Sequence, residues 1–227
     1  MYELIIANKN YSSWSLRPWV LLSVLEIPFQ ETLLRFGDGP AWDALRALSP
    51  AGKVPTLRDG QTVVWDSLAI AEYLAERHAG VWPSEPIARA WARSAAAEMH
   101  SGFSDLRGTC SMNLGIRVRL HARSAALEGD LRRVDALWRE GLARHGGPFL
   151  AGPSFTAVDA FFAPVTFRML TYGLSLSAEA DAYAARLRAL PAMERWYAAG
   201  VAETWRDPGH EEEIRQVGEW TADLRAV

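Results

Sequence analysis

The sequence has 227 residues, 49% of them apolar, which is enough to bury the core of one large domain or two small ones. Lys and Arg together number 24 and Asp and Glu 27, giving a formal net charge of −3. This balance argues against general binding to nucleic acid or to a membrane surface, because no strong positive field attracts phosphate groups. Cys110 is the only cysteine, so a disulfide within one chain is excluded.

The chain shows no signal for export or membrane insertion. Residues 1–10 contain no basic region followed by an apolar run, and no apolar run approaches the ~20 residues that span a bilayer. A single cysteine fits a reducing compartment. We therefore expect a soluble cytoplasmic protein.

The first 80 residues alternate between strand and helix patterns. Strands are predicted at 2–7 and 29–36, and helical spacing of apolar residues predicts helices at 15–25, 41–48 and 67–77. Asp59-Gly60 between the β-branched runs at 54–57 and 62–65 predicts a hairpin. The order β-α-β-α-β-β-α predicts a compact α/β domain over residues 1–80.

The rest of the chain has a helical pattern. Residues 79–87, with Gly80, Pro83 and Pro86, have the composition of a linker, and we place the linker itself at 81–86. Beyond it the chain is rich in Ala, Arg and Leu. Apolar spacing predicts helices at about 87–107, 124–145, 157–172, 178–189 and 192–205. The sequence therefore predicts an all-α helical-bundle domain over 87–227.

Three serines, Ser12, Ser13 and Ser15, lie between the first strand and the first helix. A helix start has unpaired backbone N–H groups and a positive partial charge that favour an anion, and nearby hydroxyls either cap the helix or donate to a ligand. Ser15 directly precedes the apolar run that begins at Leu16, so it is the predicted N-cap. A hydrolase nucleophile is disfavoured because the chain has no G-x-S-x-G turn.

Polar groups also fall at the ends of two later elements. Pro55 fits a strand only at its first position. A cis bond there would expose the backbone of Val54 to a ligand, and an ordinary trans proline is the alternative. Asp66-Ser67 begins the next helix and predicts an N-cap pair.

Metal and dithiol chemistry are not expected. The chain contains neither Cys-x-x-Cys nor His-x-x-x-His, and Cys110 is expected to be a packing residue. The widely separated histidines are His78, His100, His121, His145 and His210.

Taken in order, these features resemble the cytosolic glutathione transferase superfamily over nearly the whole chain. In that family a thioredoxin-like domain precedes an all-helical domain. Residues 12–17, SSWSLR, are similar to the Ser-Ser-Cys-Ser-x-Arg motif of the zeta class, the maleylacetoacetate isomerases, with Trp14 in place of the cysteine. Residues 154–159 resemble a capping motif of the family's helical domain, in which Thr156 caps and Asp159 reaches back.

The resemblance implies that glutathione is the co-substrate and that the catalytic hydroxyl belongs to Ser12, with Ser13 as its neighbour. A hydrogen bond to a thiolate contributes ~1.5–3 kcal/mol, which lowers a thiol pKa of about 8.5 by roughly 1–2 units. The γ-glutamyl end would be held by Asp66-Ser67 and the cysteinyl part by the Val54 backbone. The implied glutathione contacts are Ser12, Ser13, Trp14, Ser15, Lys53, Val54, Pro55, Asp66 and Ser67.

The resemblance also implies a second pocket, for a small hydrophobic electrophile, and a homodimer. The expected pocket walls are Trp14, Phe103, Leu106, Arg107 and Met112. The alternatives that stay open are a non-enzymatic binding module of the same fold, and isomerisation or peroxide reduction in place of conjugation. Retention of the serine cluster together with Val54-Pro55 and Asp66-Ser67 favours an enzyme, since a scaffold needs none of that chemistry.

Overall fold

The computed structural model describes residues 1–37, 39–49 and 51–225. Its N-terminal unit is a four-stranded sheet in the order β2-β1-β3-β4, in which β1 pairs parallel with β2 and antiparallel with β3. The elements of this unit are β1 (Tyr2–Ala7), α1 (Ser13–Val24), β2 (Phe29–Leu34), α2 (Gly39–Leu48), β3 (Thr56–Asp59), β4 (Thr62–Trp65) and α3 (Ser67–Ala75). The predicted β-α-β-α-β-β-α order is confirmed.

The predicted hairpin joins β3 to β4. Asp59 pairs with Thr62, which leaves Gly60 and Gln61 as a two-residue loop. Gly60 has a φ of 59°, the left-handed conformation that glycine adopts without steric cost. The first strand of the hairpin begins at Thr56 and not at residue 54, because Val54 and Pro55 lie outside the ladder.

The C-terminal unit is built mainly from helices. They are α4 (Pro86–Ser101), α5 (Ser104–Thr109), α6 (Ala125–His145), α7 (Ala157–Tyr172), α8 (Ala178–Arg188), α9 (Pro191–Ala202) and α10 (Pro208–Val217). The single helix expected at 87–107 is wrong, because the chain breaks between α4 and α5. There Phe103 has a φ of 57°, and a Cβ at Gly102 would lie 2.9 Å from the Glu98 carbonyl oxygen.

A two-stranded antiparallel sheet accompanies these helices, so the C-terminal unit is helical but not wholly so. β5 (Ile116–Leu120) pairs with β6 (Gly218–Asp223), and neither strand nor α10 is predicted from the sequence. The IRVRL segment of β5 does alternate apolar and basic residues, the pattern of a half-buried strand. Residues 226–227, at the end of the predicted domain, lie outside the described residues.

Helix α7 forms the centre of the C-terminal unit. All of its residues except Leu170 are buried, and it also packs against α1 of the first unit. Its start carries the predicted capping box, in which the Asp159 carboxylate accepts a hydrogen bond from the Thr156 N–H at 2.9 Å. Burial raises the pKa of Asp159 to about 6 although Leu150 N–H and Tyr183 Oη–H also donate to it.

The two units are joined by packed and hydrogen-bonded contacts. Val81 and Trp82 of the predicted linker are buried, and Val81 O accepts a hydrogen bond from Ala157 N at 2.8 Å. The Trp19 and Trp196 rings meet edge to face with centroids 5.1 Å apart. No helix among the described residues has the length and apolar character needed to cross a bilayer.

Candidate active site

A cleft of about 650 Å³ runs between the two units at the start of α1. A second depression of about 450 Å³ adjoins it, and the two share Trp14, Lys53 and Val54. The walls of the first cleft are Tyr11, Ser12, Ser13, Trp14, Phe36, Trp42, Lys53, Val54, Ser104, Arg107, Gly108, Ser111, Met112, Arg168 and His210. Those of the second are Trp14, Ala51, Lys53, Val54, Pro55, Trp65, Asp66 and Ser67.

The serine cluster begins helix α1 one turn earlier than predicted. Ser12 is the N-cap, with its backbone in an extended conformation and its Oγ accepting from Ser15 N at 3.3 Å. The expectation that Ser15 caps the helix is therefore wrong. Ser15 Oγ instead accepts from Ala7 N at 3.1 Å and from Ser12 Oγ–H at 2.7 Å, which ties the helix start to the end of β1.

The Ser13 hydroxyl remains available to a ligand. Its oxygen accepts a long hydrogen bond from Arg168 Nη2 at 3.4 Å, and its hydrogen is donated to no partner among the described residues. Arg168 is buried and its Nε donates to the Cys110 carbonyl at 2.8 Å. The cleft thus contains a free hydroxyl donor beside a buried cation at a helix start.

Trp14 is held between two guanidinium groups. The Arg17 and Arg107 guanidinium carbons lie 4.1 and 4.6 Å from the centroid of its ring, and the His100 ring meets its edge. Arg107 also donates through Nη1 to the carbonyls of His100 and Gly102. These contacts fix the side chain of Trp14, which lines both depressions.

The site carries an excess of buried positive charge. Within the described part of the chain, Arg17, Arg107 and Arg168 form no ion pair with a carboxylate. Burial and mutual repulsion lower the pKa of Arg17 to about 9 and that of Arg168 to about 10. Two nitrogens of Arg17, Nε and Nη1, are buried and find no hydrogen-bond partner in the described ranges of the chain. An anion in the cleft would offset this charge.

The second depression joins two of the predicted motifs. The Val54-Pro55 peptide bond is cis. Asp66 caps α3 through Oδ1, which accepts from Leu68 N at 2.8 Å, while its Oδ2 lies 3.4 Å from His100 Nε2. The Ser67 hydroxyl is buried and has no hydrogen-bond partner among the described residues, so it can bind a ligand.

Two of the expected electrophile-pocket residues do not reach the cleft. Phe103 packs on Phe162, with ring centroids 6.5 Å apart, and Leu106 is fully buried in the core. Both side chains are buried in the core, whereas Ser104, between them in the chain, is exposed and lines the cleft. Trp14, Arg107 and Met112 do line the cleft. Cys110 lies in the core, as expected, and burial raises its pKa to about 12.

Sequence reasoning missed several residues of the cleft wall, among them Tyr11, Arg168 and His210. Arg168 lies in the interior of α7, where nothing local distinguishes it from a surface arginine. The position of His210 had a detectable signal, since Asp207-Pro208 is an N-cap followed by proline at the first helical position.

The chain is similar to known proteins over both units. Residues 11–77 match the family model described as the glutathione S-transferase N-terminal domain, and residues 121–199 match the C-terminal domain. A probable maleylacetoacetate isomerase of Caenorhabditis elegans is 31% identical over 179 residues, which cover 74% of this chain and 79% of that protein. No group of three or more potential metal ligands occurs in the part of the chain that the structure describes.

Two solved structures with bound glutathione share the fold. A theta class glutathione S-transferase from Xanthomonas axonopodis pv. citri has a TM-score of 0.63 and 25% identity, covering 86% of this chain and 96% of that one. A glutathione transferase homologue from Burkholderia has a TM-score of 0.65 and 20% identity, covering 88% and 97%.

The hydrogen bonds around Ser15 generate a prediction about stability. Ser15→Ala leaves the buried Ala7 N–H without its acceptor, so we expect the free energy of unfolding to fall by about 1–3 kcal/mol in urea denaturation. Ser94→Ala is the matched control, because Ser94 is exposed on α4 and its hydroxyl donates to the Ala90 carbonyl of the same helix. Equal stability of the two variants would contradict the buried role of Ser15.

Proposed function

Because this chain belongs to the glutathione S-transferase superfamily, we propose that the cleft binds glutathione and that Ser13 and Ser12 stabilise its thiolate for attack on a small electrophile. Glutathione is the co-substrate of the family, and two structural neighbours hold it. The observation that supports the proposal is the Ser13 hydroxyl at the N-terminus of α1, whose oxygen accepts from the buried Arg168 and whose hydrogen has no acceptor among the described residues. Hydroxyl, guanidinium and helix start all favour an anion at one place.

The second depression is the proposed site of the glutathione backbone. The Asp66 carboxylate, already fixed as a helix cap, would accept from the γ-glutamyl ammonium, and the unpartnered Ser67 hydroxyl would bind the γ-glutamyl carboxylate. Val54 offers its backbone groups to the cysteinyl part, since it lies outside the β3–β4 ladder beside the cis Pro55. Lys53 lines both depressions and is the proposed partner of the glycine carboxylate.

Replacing Asp66 by asparagine tests this assignment. Asparagine still caps a helix, so Asp66→Asn removes the charge and keeps α3. Loss of a charge-assisted contact of ~1.5–3 kcal/mol should weaken glutathione binding by more than about tenfold in titration calorimetry. Asp43→Asn, an exposed change on α2, is the control and should bind as the unaltered protein does. An unchanged affinity for Asp66→Asn would contradict the proposal.

The serine that activates the thiol is a separate question. Because the Ser12 hydrogen is engaged by Ser15 and the Ser13 hydrogen is not, we expect Ser13→Ala to raise the pKa of bound glutathione by about 1–2 units, more than Ser12→Ala does. Ultraviolet titration of the bound thiolate measures both. A larger rise of the glutathione pKa in Ser12→Ala would contradict this. Ser12 would then be the main donor to the thiolate, with Ser15 donating to Ser12 in place of the present direction.

The electrophile is proposed to carry an anionic group on an apolar body. The cleft has aromatic walls in Trp14, Phe36 and Trp42, which suit the hydrophobic electrophile expected from the resemblance. It also has two guanidiniums, on Arg107 and Arg168, that no carboxylate of the described chain neutralises. The Nε and Nη2 of Arg107 have no partner among the described residues and can bind a carboxylate.

Ethacrynic acid and its methyl ester separate charge recognition from hydrophobic binding, since they differ only in the carboxylate. Arg107→Gln should raise the KM for the acid about tenfold and leave that for the ester nearly unchanged. Arg119→Gln, an exposed change on β5, is the control. Equal effects of Arg107→Gln on acid and ester would rule out a carboxylate site at Arg107.

Glutathione-dependent isomerisation is the second candidate function, favoured by the Caenorhabditis elegans relative named as a probable maleylacetoacetate isomerase. Trp14 stands at the cysteine position of the zeta motif, so a protein thiol cannot serve there. In either reaction the nucleophile would be glutathione itself. Assay of both activities with one preparation distinguishes them.

We also propose a cytoplasmic homodimer, carried over from the resemblance. Trp65, beside Asp66 at the end of β4, is 43% exposed, and such an exposed indole is typical of an interface. Light scattering at micromolar concentration should give twice the 25.2 kDa mass of the chain. A mass equal to that of one chain would contradict the dimer.

A further inference from the structure

His210 brings an imidazole to the cleft from the far end of the chain. It lies in the first turn of α10 and forms part of the cleft wall. Its ring stacks on Tyr11, with centroids 5.2 Å apart, and tilts against Phe36, with centroids 4.9 Å apart. Two aromatic neighbours therefore hold the imidazole plane in the cleft.

Asp207 fixes which ring nitrogen is available. Its Oδ2 lies 2.5 Å from His210 Nδ1 and also accepts from the His210 backbone N–H at 3.0 Å. A carboxylate accepts and does not donate, so Nδ1 carries a hydrogen. Nε2 has no hydrogen-bond partner among the described residues, and the side chain is 30% exposed. The ring can present Nε2 to a molecule in the cleft.

The reaction creates a need for a proton donor when the electrophile is an unsaturated carbonyl compound. Thiolate addition to its β-carbon moves the double-bond electrons onto the carbonyl oxygen, and the resulting enolate must take up a proton at the α-carbon. The serine hydroxyls and guanidiniums stabilise anions but hold their protons near neutral pH. Tyr11 is also unsuited, because burial raises its pKa to about 12 and it donates to Glu211. Imidazole exchanges protons near neutral pH.

We infer that His210 is a general acid of this site, oriented by Asp207, for the addition of glutathione to unsaturated carbonyl compounds; this rests on the proposed function. The thiolate sulfur forms a bond to the β-carbon, and the proton on Nε2 of the imidazolium passes to the α-carbon of the enolate. The ring is left neutral, with its remaining hydrogen on Nδ1 facing Asp207. The imidazole then regains a proton from solvent. Because solvent had taken up the proton that the glutathione thiol lost, the net reaction is addition of glutathione across the double bond.

Two electrophiles separate this role from thiol activation. Ethacrynic acid is an unsaturated ketone whose adduct needs a proton, whereas chlorodinitrobenzene releases chloride and needs none. His210→Gln should lower kcat for ethacrynic acid by about 100-fold or more, in the range of general acid catalysis, and leave kcat for chlorodinitrobenzene nearly unchanged. Imidazole added to His210→Ala should restore part of the ethacrynic acid rate, which a merely structural residue would not show.

The control is His121→Gln, at an exposed histidine that follows β5 and lies outside the cleft. Unchanged turnover of ethacrynic acid by His210→Gln would overturn the inference, as would equal losses with both electrophiles and no rescue by imidazole. In either case glutathione binding, measured by calorimetry on the same variants, remains a separate test of the proposed function. Absence of glutathione binding by the unaltered protein would overturn both.

Discussion

The carboxylate of Glu203 fixes the loop on which the site depends. Glu203 follows α9 in the helical unit and accepts hydrogen bonds from Lys9 N at 2.6 Å, Asn10 N at 3.2 Å and Asn8 Nδ2 at 3.4 Å. Burial raises its pKa, while these donors and the Lys9 ammonium oppose the rise. One acidic side chain thus satisfies backbone groups of the β1–α1 loop that would otherwise be buried without partners.

The same loop is held from its other side by Asn10. The Asn10 Oδ1 accepts from Leu114 N at 2.9 Å and Gly115 N at 3.2 Å, which lie just before β5. Gly200 lets α9 approach the β1–α1 loop closely, since a Cβ there would lie 3.1 Å from Asn10 N. Neither unit can form the site alone, because the serines come from one and the guanidiniums of Arg107 and Arg168 from the other. The interface between the two units sets the geometry of the β1–α1 loop. It thereby also sets the distance between the Ser13 hydroxyl and the Arg168 guanidinium.

Local signals in the sequence predicted the elements of the N-terminal unit and most of the long helices, but not the break between α4 and α5, the strands β5 and β6, or α10. The hairpin and the capping box of α7 follow from residues within a few positions of each other, and each forms as expected. The predicted N-cap of α1 lies about one turn too late, because apolar periodicity detects the helix only from Leu16 onward. In the structure Ser13 is buried and is the first residue of the helix. The N-cap is therefore Ser12. The break after Gly102 has a different origin: a Cβ there would lie 2.9 Å from the Glu98 carbonyl oxygen of its own helix, a contact that apolar periodicity does not report.

The contacts of Arg168 and His210 in the cleft cannot be predicted from the sequence for a different reason. Arg168 meets Ser13 across 155 positions of the chain, and His210 meets Tyr11 across 199, so no spacing rule relates them. The resemblance implies glutathione contacts in the N-terminal unit and gives less for the electrophile side. Only the folded structure shows that this side is cationic.

The far C-terminal elements complete the cleft through a buried ionic cluster. Arg225, just past β6, contacts Glu211 of α10 and donates through Nη1 to the Tyr11 hydroxyl oxygen at 3.3 Å. Tyr11 Oη–H in turn donates to Glu211 at 2.8 Å. Because β6 is paired with β5, this cluster anchors α10 to the same region that Asn10 reaches. The geometry of His210 therefore depends on strand pairing over about a hundred residues of chain, and β6 supports the candidate site although none of its side chains lines the cleft.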